Sequence, residues 1–376
     1  VSAPADEGLR LAWRPFRFPL PTALVTAHGA VVERRGWLLR LSRDDGAVGW
    51  GEAAPWPGSA EQQRTGRRLA GEGQSPAGAV SPQLAAVELA IAELGPSRER
   101  TELESVVPAL PACLGFALGL ALAELDGLGA ADPRDRAGGE RGAEQESWAG
   151  PWRPAPASAW LLPAGEAALV ALETLLAGAE PGQGWAAGAR GLTVKWKVAV
   201  GADPEERAVL EHLLAQLPSG SRLRLDANGG WDRATAQAWA ERLASDPRLD
   251  WLEQPLAPSD PQGLAALAAV VPVALDESLR LDPGLGRRWP GWQVRRPSLE
   301  GDPRPLLRAL SAGSPRLMLS TAFETGIGRR CLAHLAALQQ DGPTPTAPGL
   351  APGWRPAGAL FAQDPAQVWA AAAEEQ

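Results

Sequence analysis

Tyrosine is absent from this 376-residue chain, methionine occurs once and cysteine twice, and lysine is confined to Lys195 and Lys197 within a Lys+Arg total of 36. Asn228 is the single asparagine, and Ile91 and Ile327 are the only isoleucines. Each shortage removes a class of function. Cys113 and Cys331 cannot build a disulfide framework and lack metal-ligand spacing, so they read as buried, reduced thiols. His28, His212 and His334 are scattered, with no nucleophile motif beside them, and leave a hydrolase triad unsupported. No Gly-x-Gly-x-x-Gly follows an early strand, which counts against dinucleotide binding. Positive charge is in deficit: 36 Lys+Arg against 44 Asp+Glu gives −8, the wrong sign for a nucleic-acid binder. One uncharged stretch, Val106 to Ala123, reaches spanning length, but it holds Pro108 and Pro111 and runs into Glu124 and Asp126. A buried helix is the expectation there, not a membrane span. Val1 to Arg10 carries Asp6 and Glu7 and no apolar run, so nothing marks export and a soluble, cytoplasmic protein is expected.

What is abundant is Gly (42), Pro (36) and Trp (16) in a chain that is 45% hydrophobic, enough for one large domain and a smaller one. The skew is that of a sequence drawn towards Ala, Gly, Arg and Pro wherever physics tolerates the exchange. A lysine that survives such pressure is suspect, because its amine can be tuned towards neutrality whereas arginine stays charged. Two lysines within two positions would arise by chance about once in a hundred placements.

Residues 11–52 have a strand-like pattern, with Leu38–Leu41 and Val48–Gly51 flanking the hairpin signal Asp44-Asp45-Gly46. A helix is predicted over 81–95, with Ser81 as N-cap, proline at the first turn and Gly95 at the end, and another over about 112–126. These make a small α+β domain over 1–126. Residues 127–156, rich in Gly, Pro, Arg and Glu, read as a solvated linker or insertion. Beyond it, apolar strands begin near Ala159, Leu192, Leu223, Leu249, Val271, Trp292, Leu317 and, weakly, Gly349. Helical patterns fill the gaps, for example 203–217, opening on Asp203 as N-cap with an acidic first turn, and 233–245. That rhythm fits a (β/α)₈ barrel over 157–349, with a doubly wound open sheet as the alternative.

In a barrel strand, alternate residues face the lumen and the carboxyl end opens on the active-site face. Even positions of Leu192–Val198 are apolar, so Lys195 and Lys197 share the lumen face, where each would disfavour the other's protonation and tune an amine towards a general base. The competing reading is an exposed edge strand with solvated lysines. The next three strands end in Asp226, Glu253 and Asp276, 27 and then 23 residues apart, one βα unit each. Taken singly, each acid is a helix cap or surface charge. As a trio of hard oxygen ligands they point to Mg²⁺, with Mn²⁺ as a substitute. A lysine pair facing Mg²⁺ suits removal of the weakly acidic proton beside a carboxylate, with metal-stabilised enediolate formation.

Val194-Lys195-Trp196-Lys197, Leu225-Asp226-Ala227-Asn228-Gly229-Gly230-Trp231, Trp251-Leu252-Glu253-Gln254-Pro255-Leu256 and Ala274-Leu275-Asp276-Glu277-Ser278 stand in the order typical of the enolase superfamily. The chain resembles its muconate-lactonizing subgroup and, within that, the o-succinylbenzoate synthase family of menaquinone and phylloquinone biosynthesis. Gly49–Pro55, Arg296–Gly301 and Ser320–Gly328 add to the likeness. The resemblance implies that Lys197 is the acid/base, Lys195 its electrostatic neighbour, and Asp226, Glu253 and Asp276 the Mg²⁺ ligands. Asn228 and Glu277 would support them, and Ser320 and the Glu324 loop would lie near a small-molecule carboxylate substrate. The N-terminal domain would cap the barrel mouth, loops around 17–30 and 52–60 would close over the substrate's succinyl tail, and residues 350–376 would pack back on the cap. Neither a nucleic acid nor a membrane is implied as partner, and oligomeric state carries no sequence signal.

One position departs from the family pattern. A second lysine is expected on the sixth strand before Pro-Ser, where this chain has Arg296, unless Arg295 is the aligned residue. A two-base racemase or epimerase needs a neutral amine on each face of its substrate, and arginine is a poor base. Syn elimination needs one acid/base and a fixed opposite cation, which could also contact a ring by cation–π attraction. The expectation is therefore a hydro-lyase, the alternatives being an N-acylamino-acid racemase or dipeptide epimerase, and an inactive metal-binding barrel.

Overall fold

Alternation along the first strand sets two cores at once. In β1 (Gly8–Thr26) Leu9 and Leu11 are buried on one face, and Phe16, Phe18 and Leu20 on the opposite one. β1 pairs antiparallel with β2 (Gly29–Ser42), β2 with β3 (Val48–Ala53), and short β4 (Ser97–Glu99) lies on the far edge, in the order β3-β2-β1-β4. The hairpin turn falls where the sequence puts it, with Gly46 at φ +91° donating its N–H to the Arg43 carbonyl at 3.1 Å. The computed structural model describes residues 8–26, 29–56, 81–130, 150–178, 191–354 and 356–374. The expected insertion at 127–156 is mostly outside them, as are the inner parts of both expected closing loops, 27–28 and 57–60.

Helix α1 (Pro82–Leu94) starts on Ser81, whose Oγ accepts the Leu84 N–H at 3.2 Å, and stops at Gly95, φ +69°. The uncharged stretch is divided between α2 (Arg100–Val106), a short 3₁₀ turn and α3 (Ala112–Leu125). Among the described residues, no helix is long and apolar enough to cross a membrane. Every residue of α3 from Cys113 to Ala123 is buried, because the helix lies directly on β3. Gly49 and Gly51 make that approach possible: a Cβ there would sit 2.0 Å from the Ala121 carbonyl oxygen and 2.1 Å from that of Ala117. Gly49→Ala is expected to cost about 3 kcal/mol through overpacking against backbone, read as a shift in denaturant midpoint. A shift equivalent to less than about 0.5 kcal/mol would show the contact to be dispensable.

The second layer is a parallel sheet of β5 (Trp160–Leu162), β6 (Thr193–Lys197), β7 (Arg222–Asp226), β8 (Leu249–Glu253), β9 (Val273–Leu275), β10 (Trp292–Arg295) and β11 (Leu317–Leu319). Neighbours in the sheet are neighbours in sequence, so the strand order never reverses as it does in a doubly wound sheet. Between the strands run α4 (Ala167–Ala177), α5 (Asp203–Gln216), α6 (Arg233–Leu243), α7 (Pro261–Ala268), α8 (Glu277–Leu281) and α9 (Arg304–Ser311), with α10 (Gly326–Gln340) after β11. The weak eighth strand is reduced to one bridge, Gly349 with Ser320, while the Pro348 carbonyl accepts from Ala159 of the other edge at 2.9 Å. Pro343, Pro345 and Pro348 have no N–H to give a ladder, so the closing segment is irregular and among the described residues the sheet has seven strands, not eight.

One expected cap is displaced. Ala202 is the N-cap of α5 and Asp203 lies inside it, accepting from Trp239 Nε1 at 2.6 Å and from Arg207. Glu206 instead turns back to accept the N–H groups of Ala199, Val200 and Gly201. At the end of the described chain, α11 (Pro365–Glu374) returns to the antiparallel sheet, where Arg14 donates to the Trp369 carbonyl at 2.8 Å and Trp369 packs 5.8 Å from Trp50.

Candidate active site

Strand alternation divides each parallel strand between helices and lumen. Val194 and Trp196 of β6 and Leu223 and Leu225 of β7 join the core beneath the helices. The alternate residues Lys195, Lys197, Arg224 and Asp226 line one cavity at the carboxyl ends. Pairing of β7 with β8 skips one residue between Leu223 and Arg224, which brings Asp226 opposite Glu253. Below the charged groups the lumen is plugged by Trp251, Ala274, Val294 and Met318. Arg224 lies flat over Trp251 at 4.0 Å and is tied to Asp250 at 2.8 Å and Thr346 at 2.7 Å. That plug keeps water from below, so charges at the mouth interact through a poorly screening medium.

Lys195 sits between two acids, its Nζ 2.7 Å from Asp226 Oδ2 and 2.6 Å from Glu253 Oε1. Burial alone would lower its pKa, but Asp226 and Glu253 outweigh burial and hold the amine above the ordinary lysine range. Lys195 is thus a fixed cation. Lys197 goes the other way: burial lowers its pKa and the Lys195 charge adds to that, against Asp226 and Glu277. The lysines therefore do not depress each other equally. One absorbs the carboxylates, and the other becomes the more easily deprotonated amine.

Asp276, at the end of β9, receives Arg296 Nη2 at 2.6 Å and Nε at 3.3 Å, with Arg280 3.7 Å away. Burial would raise its pKa, yet the Arg296 and Arg280 guanidiniums keep it well below the carboxylate range. Arg296 also donates Nη1 to the Thr321 carbonyl at 2.8 Å. Arg295 instead pairs with Glu300 at 2.7 Å and does not line the cavity, so Arg296 is the residue that reaches the lumen. Glu277 is pushed up to about 7 by burial and then by the charge of Asp276.

The expected trio of acids is therefore paired with the side-chain cations Lys195, Arg296 and Arg280, and among the described residues no group of three His, Cys, Asp or Glu stands ready to hold a metal. The donor chemistry nevertheless suits a hard cation. Asn228 Nδ2 donates to Glu277 Oε1 at 3.2 Å, while Asn228 Oδ1 and Glu277 Oε2 are buried oxygens without a hydrogen-bond partner, beside carboxylates at the cavity edge.

Ser320 lines the cavity. Glu324 does not: its carboxylate turns into the protein to accept from Ser298 at 2.7 Å, Thr321 Oγ1 at 2.6 Å and the Ala322 N–H at 2.9 Å. It shapes the loop rather than facing the cavity, because a buried carboxylate goes where donors are. Glu253 is likewise fully buried behind Lys195 and absent from the cavity wall.

Residues 183–281 match the family described as Enolase C-terminal domain-like. The o-succinylbenzoate synthase of Thermosynechococcus vestitus is 35% identical to this chain over 340 residues, covering 87% of this chain and 88% of that protein. The chain belongs to the o-succinylbenzoate synthase family. Among solved structures, o-succinylbenzoate synthase from Thermosynechococcus elongatus, complexed with Mg in its active site, aligns with a TM-score of 0.71 at 31% identity, over 98% of this chain and all of that one. A substrate-liganded L-Ala-D/L-Glu epimerase from Bacillus subtilis shares the fold, with a TM-score of 0.64 at 19% identity over 93% and 91% of the two chains.

Several residues of this o-succinylbenzoate synthase family member escape motif reading. Gln254 is fully buried at φ +39°, and its Oε1 accepts the N–H groups of Asp276 and Ser278 at 3.2 and 3.0 Å, setting where Asp276 points. Its place inside Trp-Leu-Glu-Gln-Pro was the available signal. Arg280 lines the cavity from α8, and Trp56 and Phe323 stack across its mouth at 6.4 Å and 28°. No periodicity marks those three.

Proposed function

We propose that the chain catalyses the Mg²⁺-dependent dehydration of 2-succinyl-6-hydroxy-2,4-cyclohexadiene-1-carboxylate to 2-succinylbenzoate, a hydro-lyase step of menaquinone and phylloquinone biosynthesis. The observation that carries this reading is geometric: Lys195 and Lys197 face one cavity, and Lys197 lies opposite Asp226, which in turn lies opposite Glu253, on successive strand ends in a chain of this family. Asp226, Glu253 and Asp276 would hold the Mg²⁺, supported by Asn228 and Glu277. When bound, the cation supplies positive charge to the substrate carboxylate as negative charge builds on it.

Lys197 takes the proton from the carbon bearing that carboxylate, then returns it to the hydroxyl leaving from the neighbouring ring carbon on the same face, so that water departs and the ring becomes aromatic. One amine serves as base and then acid. Lys195 stays charged and fixes Asp226 and Glu253, and Arg296 provides a permanent cation on the other side of the cavity. Trp56 and Phe323 offer an apolar wall to a planar ring, with Ser320 lining the same cavity beside Gly349.

The test is an ultraviolet assay with the cyclohexadiene substrate. Loss of diene absorbance is expected with Mg²⁺ or Mn²⁺, to stop with EDTA and to return on adding metal. No turnover by folded, metal-supplied protein would overturn the assignment. N-succinyl amino acids would then be assayed for α-proton exchange, the signature of a racemase or epimerase, and silence in both assays would leave the inactive barrel. Arg296 weighs against the two-base alternative, since a guanidinium stays protonated and cannot serve as the second neutral base.

A further inference from the structure

The Asp276 carboxylate has a counter-ion already in place. Arg296 reaches it with two nitrogens while its third is tied to the Thr321 carbonyl at 2.8 Å, so the guanidinium is stretched between the ends of β9 and β11. Both partners are largely shielded from water, with side-chain exposures of 19% and 3%. A forked pair of this kind is held in one geometry and is stronger than a single-point ammonium contact. The other acids are engaged by Lys195, but a lysine ammonium swings on a flexible stem, whereas Arg296 is pinned at both ends.

We propose that Arg296 is an internal competitor for the divalent cation, so that cation binding and the Arg296–Asp276 pair exclude each other. The inference rests on the Mg²⁺ reading above and adds a consequence peculiar to a chain with arginine here. A cation arriving at Asp276 meets a carboxylate that Arg296 and, at 3.7 Å, Arg280 already neutralise, and a divalent charge added beside both guanidiniums would be repelled strongly unless the forked Arg296 contact is released. Affinity for the cation is accordingly low in the free protein. It rises when an anionic ligand enters and offers the displaced guanidinium a new partner, so cation and carboxylate ligand bind cooperatively, each raising the other's affinity by the same factor.

Isothermal titration of EDTA-stripped protein with Mg²⁺, alone and with saturating 2-succinylbenzoate, tests this without reference to turnover. Arg296→Met is expected to bind Mg²⁺ about tenfold or more tightly than the natural protein, equivalent to about 1.4 kcal/mol, and to lose most of the gain on adding 2-succinylbenzoate. Arg296→Lys, which keeps the charge but loses the fork and the tie to Thr321, should fall between the two and serves alone if Arg296→Met does not fold. Equal or weaker Mg²⁺ binding by the folded variants overturns the competitor role while leaving the metal-dependent reaction standing. An absence of Mg²⁺ binding by every protein, ligand present or not, overturns both.

Discussion

Lys197→Ala is expected to lower kcat by about 10⁴-fold, the upper end of what a positioned acid–base group contributes, because one amine acts in both halves of the elimination. KM should change little, since the remaining cations that hold a carboxylate ligand are untouched. The pH profile supplies an independent check. Lys197 must be neutral to accept a proton, so kcat/KM should rise with pH through its pKa and level off above it. That limb should lie below the ordinary lysine range, because burial and Lys195 both favour the neutral amine. Lys195→Met removes the neighbouring charge and should move the limb to higher pH, alongside any loss from releasing Asp226 and Glu253. A Lys197→Ala protein keeping more than a tenth of natural activity would transfer the proton step to another residue.

Glu52→Ala carries the largest expected effect on stability. The carboxylate reaches from β3 of the antiparallel layer to the start of α10, where its Oε2 accepts Thr325 Oγ1 at 2.6 Å and the N–H groups of Thr325 and Gly328 at 2.9 and 3.1 Å. Deleting it would orphan two buried N–H groups and a hydroxyl, at a cost of about 3 kcal/mol or more. The sign of the pH dependence follows from burial, which, against the Thr325 hydrogen bond, pushes Glu52 up to about 7 from its usual 4.5. The protonated form is favoured in the fold, so this contribution is complete below about pH 4.5 and is lost as pH rises through 7. Glu52→Gln cannot ionise. Its stability relative to the natural protein should therefore improve between pH 5 and pH 8, by about 3 kcal/mol at most. A difference that does not vary with pH would mean that Glu52 stays ionised throughout.

The sequence shows those parts of the molecule that obey a period. Strand positions from Leu192 to Leu317 could be read because apolar alternation and strand-ending acids repeat once per βα unit, and the lumen face of Lys195 and Lys197 follows from the apolar even positions of β6. The α1 caps are short-range chemistry and were equally plain. What alternation cannot show is which neighbour a charge finds. The even mutual depression expected of the two lysines gave way because Asp226 and Glu253 both chose Lys195. The resemblance put the Glu324 loop near the substrate, and Thr321 and Phe323 of that loop line the cavity, while Ser298, 26 residues away, draws the Glu324 side chain itself inward. The irregular closing segment around Gly349 was only faintly legible, since prolines erase the alternation that would announce a strand.

The reach of Glu52 also has a meaning in time. Its partners Thr325 and Gly328 lie 273 and 276 residues downstream, and Arg14 waits 355 residues for the Trp369 carbonyl. At a synthesis rate of about 5–20 residues per second, the first strands emerge tens of seconds before the segments that cover their second face. During that interval Phe16, Phe18 and Leu20 have early partners such as Leu38 and Phe116 but lack the part of their core that α10 and α11 supply. The nascent chain therefore passes through a stage with an incompletely covered apolar sheet face, the condition in which chains aggregate or engage chaperones. Contacts this distant in sequence also slow folding, because loop closure must be completed before they can contribute. The same carboxylate that locks the finished protein is thus among the last groups to find its place.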